Sequence, residues 1–150
     1  MARGSAHVSP GCSPGPGAPM SRAVLITGGV RDFTYVDDII ESLIRVLEKP
    51  AAPDPAFDPT QPDSATSWAP HRVFNIGNSN PTPLMDYIEA VENVLGITAS
   101  KEFLPMQAGD VPATAADTSA LEAWTGFKPH TPLKVGVARF VSWYRQFYNK

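Results

Sequence analysis

The chain is short of almost everything that announces a chemistry outright. It has a single cysteine, Cys12, in 150 residues, so no disulfide forms within it and the folded part is expected to tolerate a reducing cytosol. Its three histidines, His7, His71 and His130, lie far apart and share no ligand spacing with acids or with the cysteine. They read as surface or capping histidines, and no metal site is expected. Nowhere is there a run of the roughly 18 to 20 apolar residues that a membrane span needs. Lys and Arg number 12 against 15 Asp and Glu, a formal charge of −3. Phosphate-backbone binding needs a basic face, which argues against nucleic acid as the main partner. The expected setting is cytoplasmic.

Residues 1–20, MARGSAHVSPGCSPGPGAPM, have almost no large apolar side chain. Built from Gly, Pro, Ser and Ala, they cannot offset the entropy of ordering and are expected to be a disordered leader, with Met20 an equally good start. A secretory signal needs a continuous apolar run after a basic start, and this stretch has none. The length predicts one domain, which if wholly compact would bury about 68–70% of its surface.

What is present is alternation of short strands and helices. Val24 to Thr27 reads as a buried strand running into the turn Gly28-Gly29, the way a dinucleotide-binding fold opens. Val36, Ile39, Ile40, Leu43, Ile44 and Leu47 recur at three- and four-residue steps and make one face of a helix, with Asp37 or Asp38 as its cap and Pro50 as its end. Residues 50–70 carry prolines at 50, 53, 55, 59, 62 and 70 and predict a long irregular loop. A strand is expected at Val73–Ile76, stopping at Gly77. Thr82-Pro83 then predicts a helix start with threonine as cap and proline in the first turn; Leu84, Ile88, Val91 and Leu95 form its buried face and Gly96 its left-handed terminator. Thr131-Pro132 repeats the device before Leu133, Val137, Phe140, Tyr144 and Phe147. Between these helices a strand is expected near Glu102–Leu104 and a short helix over about Thr118–Trp124, closed by Gly126. The order predicts an α/β or α+β fold with a small sheet.

Five stretches carry a family resemblance: RDFTYVDDI from Arg31, APHRVFNIGN, TPLMDYIEAVENVLG, LPMQAGDVPATAAD, and GFKPHTPLKVGVARFVSWYRQFY. In this order they resemble the C-terminal part of the UDP-glucuronate 4-epimerases, NAD-dependent members of the extended short-chain dehydrogenase/reductase superfamily. The resemblance implies an incomplete Rossmann-like nucleotide-sugar epimerase, mainly the small C-terminal α+β substrate lobe. Residues 21–30 are then a remnant of the first Rossmann strand and glycine turn, and residues 31–150 are the lobe, with the proline-rich loop 50–70 inside it. The implied reaction moves a hydride from C4 of the sugar to a bound NAD and returns it to the other face.

That chemistry requires a tyrosine base acidified by a lysine four residues on, since a free phenol near 10 is mostly protonated at neutral pH. The residues four before Lys49, Lys101, Lys128, Lys134 and Lys150 are Arg45, Ile97, Trp124, His130 and Gln146, so the pair is absent. No catalytic residue is assigned. Gly28 and Gly29, the candidate cofactor residues, would open a Gly-x-x-Gly-x-x-Gly turn, but Arg31 and Thr34 stand where the later glycines belong. The first strand is thus joined directly to the substrate lobe.

By the same resemblance Arg31 contacts the nucleotide diphosphate, for which a planar guanidinium is suited. Gln107 and Asp110 lie in the MQAGDV segment that supplies nucleotide and ribose contacts in related epimerases. Arg31 paired with Asp32 or Asp38, and Asp110 as a turn residue, are the bland alternatives. Asn75 to Asn78 read as structural, Tyr87, Trp143, Tyr144 and Phe147 as packing, and Glu89 with Glu92 as a solvated helix face. Three functions follow: a lobe that binds a UDP-sugar weakly without turning it over, a subunit completed in trans by a full-length relative, or a homo-oligomerising interaction module.

Overall fold

In the computed structural model, which describes residues 23–26 and 29–149, four helices carry most of the fold: α1 (Val36–Glu48), α2 (Leu84–Leu95), α3 (Ser119–Thr125) and α4 (Leu133–Tyr148). The expected leader and Gly28 lie outside the described residues. The strands are short. β1 (Ala23–Ile26) runs parallel to β4 (Ser100–Phe103), Ala23 opposite Ser100 and Ile26 opposite Phe103, and the Leu104 amide donates to the Ile26 carbonyl at 2.8 Å. β2 (Val30–Arg31) runs antiparallel to β3 (Thr82–Pro83), and Val30 also forms a parallel bridge to Ala113.

The helix ends follow from local chemistry, with two corrections. Gly96 and Gly126 close α2 and α3 at φ 70° and 67°, left-handed geometry that costs glycine little. At the other ends the threonines are not caps: Pro83 and Pro132 occupy the capping positions, no side chain caps either helix, and the Thr82 hydroxyl donates to the Asn80 carbonyl instead. Nor do Asp37 or Asp38 cap α1, where Tyr35 holds that position without a side-chain bond. Asp38 is buried one turn in and accepts the Thr131 amide at 2.9 Å. A carboxylate inside the first turn still suits the positive end of the helix dipole. Here it is spent on tying α1 to the start of α4.

The expected strand at Val73–Ile76 makes no ladder. Only its neighbour Arg72 bridges, to Thr66, and the Val73 amide donates to Ala65. A strand is stable only with a partner edge, and none of the described residues offers one. The proline-rich loop is irregular, as expected, and supplies its own hydrogen bonds. Asp54, Asp58 and Asp63 each accept the amide two residues on, from Ala56, Thr60 and Ala65, the Asx-turn geometry that competes with helix and ladder.

The core sits between α2 and α4, where Ala90, Val137 and Val141 are buried against Tyr87, Val91, Leu95 and Leu133. A second buried point lies under α3, where Leu121 is fully enclosed. The largest departure from the sequence reading concerns α1. Its apolar stripe is exposed, with Val36 57%, Ile40 49%, Leu43 45%, Ile44 47% and Leu47 79% accessible, while Asp38 and Ser42 on the other side are buried. Arg45 lies over the Phe127 ring and Lys49 over the Trp124 ring, so α1 is anchored by its polar edge. On α4, Trp143, Tyr144 and Phe147, read as packing residues, are also exposed.

Candidate functional site

β2 places Arg31 at the junction of three segments. Val30 receives the Thr114 amide on its carbonyl and gives its own amide to Pro112, so the GDVPAT segment is stitched alongside β2. Asp110 is thereby brought to Arg31: Nη2 donates to Asp110 Oδ1 at 3.0 Å, and Nη1 donates to the Val30 carbonyl at 3.0 Å. Both side chains remain about one-third accessible, 28% for Arg31 and 35% for Asp110. The guanidinium has five N–H donors in all, and these two bonds do not use them all.

Gln107 is placed close by in sequence but serves through its backbone. Its carbonyl accepts the Asp110 amide at 3.1 Å across a turn whose third residue, Gly109, has φ 89°. That positive φ is the third position of a type II turn, which demands glycine. The Gln107 side chain makes no hydrogen bond among the described residues. The turn reading of Asp110 also holds, since its Oδ1 accepts the Val111 amide at 2.9 Å. One carboxylate oxygen therefore both fixes the loop and receives the arginine.

Gly29 is part of this arrangement in a way the sequence reading did not foresee. Its φ is 107°, and a Cβ there would fall 2.8 Å from Arg31 Nη1. Its carbonyl meanwhile accepts the Leu84 amide at 3.1 Å. The glycine is thus the floor on which the guanidinium rests.

The residue missed from sequence is Asp32. Its Oδ2 accepts the amides of Ser79 and Ala116, at 3.0 and 3.2 Å, and its Oδ1 accepts that of Asn80 at 3.2 Å. Two loops distant in the chain are pinned to the residue next to Arg31. Gly77 allows the close approach, for a Cβ would lie 2.4 Å from the Ala116 Cβ and 2.8 Å from Asp32 Oδ2. Ser79, at φ 51°, completes the knot by donating to the Ala116 carbonyl at 2.9 Å. The signal available in sequence was the Gly77-Asn78-Ser79-Asn80 cluster, typical of a turn that leaves amides pointing one way. Asn75 and Asn78 are structural, as expected, donating to the carbonyls of Asp117 and Thr131.

Beside this site an open apolar cavity of about 280 Å³ is lined by Phe33, Tyr35, Val36, Tyr87, Leu133 and Phe140, among others. Phe33 and Tyr87 stack at 4.5 Å, which bears out the packing role of Tyr87. Glu92 is a correction, because it is not part of a solvated face. Its carboxylate accepts Lys101 Nζ at 2.6 Å and the Ala99 amide at 2.7 Å, and these bonds, Lys101 foremost, hold its pKa below the ordinary value. This pair fastens α2 to β4. No group of His, Cys, Asp and Glu among the described residues has the arrangement of a metal site, and no described helix is long and apolar enough to cross a membrane.

No protein-family profile matches the chain. Curated proteins do. It is 52% identical over 119 residues to an uncharacterized 37.6 kDa protein of Escherichia coli O111:H-, covering 79% of this chain and 36% of that protein. It is 46% identical over 121 residues to the probable UDP-glucuronate 4-epimerase of Rhizobium meliloti, covering 80% of this chain and 36% of the relative. Among solved structures, it superimposes on UDP-glucuronic acid 4-epimerase from Bacillus cereus, crystallised with UDP-glucuronic acid and NAD. There the TM-score is 0.64 and the identity 26%, over 85% of this chain and 37% of the other. The chain is thus related in sequence and in fold to UDP-glucuronate 4-epimerases.

It spans about a third of the length of these relatives. Its fold is a small α/β piece that matches part of a Rossmann-like epimerase. The solved epimerase was crystallised with NAD, and of the glycine turn named in the sequence only Gly29 is among the described residues. In the glycine-rich turn of a dinucleotide fold the backbone approaches the pyrophosphate closely because nothing projects from it. At Gly29 a side chain is excluded for a different neighbour, since a Cβ would lie 2.8 Å from Arg31 Nη1.

Proposed function

We propose that this chain is a nucleotide-sugar-binding lobe, taking the diphosphate of a UDP-sugar such as UDP-glucuronate at Arg31, with no turnover of its own. The observation that carries this reading is the Arg31–Asp110 pair, joined at 3.0 Å yet left partly open, in a chain whose relatives include a probable UDP-glucuronate 4-epimerase. A diphosphate approaching Arg31 competes with Asp110 for the same donors and brings more oxygens in a plane that suits a guanidinium. Asp110, displaced, is an acceptor for ribose hydroxyls. Gln107 joins only if its exposed side chain turns in.

Magnitudes keep the expected affinity low. About three charge-assisted hydrogen bonds at roughly 1.5–3 kcal/mol each give about 5–9 kcal/mol gross, against an association cost of about 4–15 kcal/mol. Binding no tighter than roughly millimolar is expected. Titration calorimetry of the full chain with UDP-glucuronate, UDP and glucuronate is the test. Heat from the first two, lost in Arg31→Gln and absent with free glucuronate, supports the reading, whereas equal heats in Arg31→Gln refute it. Purified chain incubated with UDP-glucuronate and NAD is expected to give no UDP-galacturonate, since Tyr-x-x-x-Lys is missing.

A further inference from the structure

Four cations gather where α1, α3 and the end of the proline-rich loop meet, and two of them lack an acid. Arg45 is paired with Glu41 at 2.6 Å, and Lys128 with Glu122 at 3.9 Å. Lys49 and Arg72 have no carboxylate at ion-pair distance among the described residues. Both instead face one ring. Lys49 Nζ lies 4.4 Å from the Trp124 ring centroid and the Arg72 guanidinium carbon 5.2 Å from it, so the two charges are at most 9.6 Å apart, the sum of those distances. An aromatic face attracts each cation but carries no net charge. Two positive charges therefore stand together uncompensated.

The platform beneath them is fixed. Trp124 Nε1 donates to the Lys49 carbonyl at 3.2 Å, Lys49 Nζ donates to the Trp124 carbonyl at 2.8 Å, and the ring packs on Phe74 at 5.9 Å. Lys49 thus spends one of its three donors on the last turn of α3. Arg72 is held through its backbone by the bridge to Thr66. Its guanidinium makes no hydrogen bond among the described residues, which leaves five donors unspent, and both cationic residues are exposed.

We infer that Lys49 and Arg72, mounted on Trp124, form a binding site for a phosphate-type oxyanion, either free or at the end of a larger molecule. A carboxylate brings one charge to two cations, whereas a phosphoryl monoester brings about 1.5 to 2 at neutral pH together with three acceptor oxygens. The planar fork of Arg72 takes two of those oxygens side by side, and the Lys49 ammonium serves as a point charge on the third. The Trp124 ring is an apolar wall on one side of the anion, where screening by water is reduced and the attraction grows. The site shares no residue with Arg31 and Asp110, so it stands or falls apart from the UDP-sugar reading.

The experiment uses the full 150-residue chain carrying Trp68→Phe and Trp143→Phe, which replace rings 75% and 51% exposed, so that Trp124 alone reports by fluorescence. Inorganic phosphate is titrated at constant ionic strength against chloride. A saturable change in Trp124 emission is expected. Arg72→Gln is expected to weaken it at least about fivefold and Lys49→Gln at least about twofold at unchanged circular dichroism, while Arg72→Lys, which keeps the charge and loses the fork, falls in between. Arg31→Gln is expected to leave the phosphate response unaltered. UDP is then titrated into the Arg31→Gln chain: a response extends the site to phosphoryl groups on larger molecules, and silence confines it to the free anion. An equal response to chloride, no saturable response to phosphate, or undiminished affinity in both Arg72→Gln and Lys49→Gln overturns the inference. Abolition by Arg31→Gln overturns it too, by assigning the anion to β2.

Discussion

α1 and α4 are both amphipathic helices, and their contrast shows how little a stripe of apolar residues determines alone. On α4, Val137 and Val141 are buried against α2, where Ala90 gives way to them. On α1 the stripe lies open, and the helix is held instead by the buried Asp38 carboxylate, which accepts the Thr131 amide, and by two cations resting on aromatic rings. Periodicity identifies which side of a helix prefers to leave water. Whether it does depends on what else is in the neighbourhood.

The contrast has measurable consequences, read by urea unfolding of the full chain. Val141→Asp in the α2–α4 seam puts an uncompensated charge where 6% of the side chain is accessible, and a loss of about 3–5 kcal/mol is expected; a smaller loss would mean that the seam is no better packed than α1. Asp38→Ala removes the acceptor for the Thr131 amide, a charge-assisted bond worth about 1.5–3 kcal/mol, and a negligible change would dismiss the polar anchoring of α1. Leu47→Gln, on the open stripe, is expected to stay within about 0.5 kcal/mol in the free chain. A large effect there would show that the stripe is already covered in solution.

Acid sharpens the comparison further. The Glu92 pKa is held below its usual 4.5, first by the Lys101 hydrogen bond and then by the Ala99 amide. A carboxyl with a depressed folded pKa binds its proton less readily than in the unfolded chain. Its contribution is therefore present above about pH 4.5 and is lost as pH falls through the lower folded value. Lys101→Met should flatten the acid limb of a stability profile, while Asp58 and Asp117, depressed by bonds to Thr60 and Ser119, keep theirs. An unchanged limb would mean that the α2–β4 fastening is not felt.

Much of the fold was legible because it rests on short-range rules. Gly96 and Gly126 ended their helices where left-handed glycine was expected, and the aspartate- and proline-punctuated stretch was irregular for the reason its residues suggest. The misreadings share a cause. Threonine before proline resembles a cap, but the proline's fixed φ and extended ψ made it the boundary residue itself. Val73–Ile76 has strand composition, but pairing is a property of two segments. At the site, Arg31 and Asp110 were found through the family resemblance, and the structure joins them. Asp32 was overlooked because an acid beside an arginine invites pairing with it, whereas its oxygens are occupied by three backbone amides.

The stretch from Asp54 to Ala65 closes its turns with its own carboxylates, and so draws little on the rest of the molecule for support. Segments of that kind tolerate lengthening, since each added stretch can carry its own fastening with it. It is therefore the natural place to splice an epitope or a fluorophore when following this protein, well removed in sequence from Arg31.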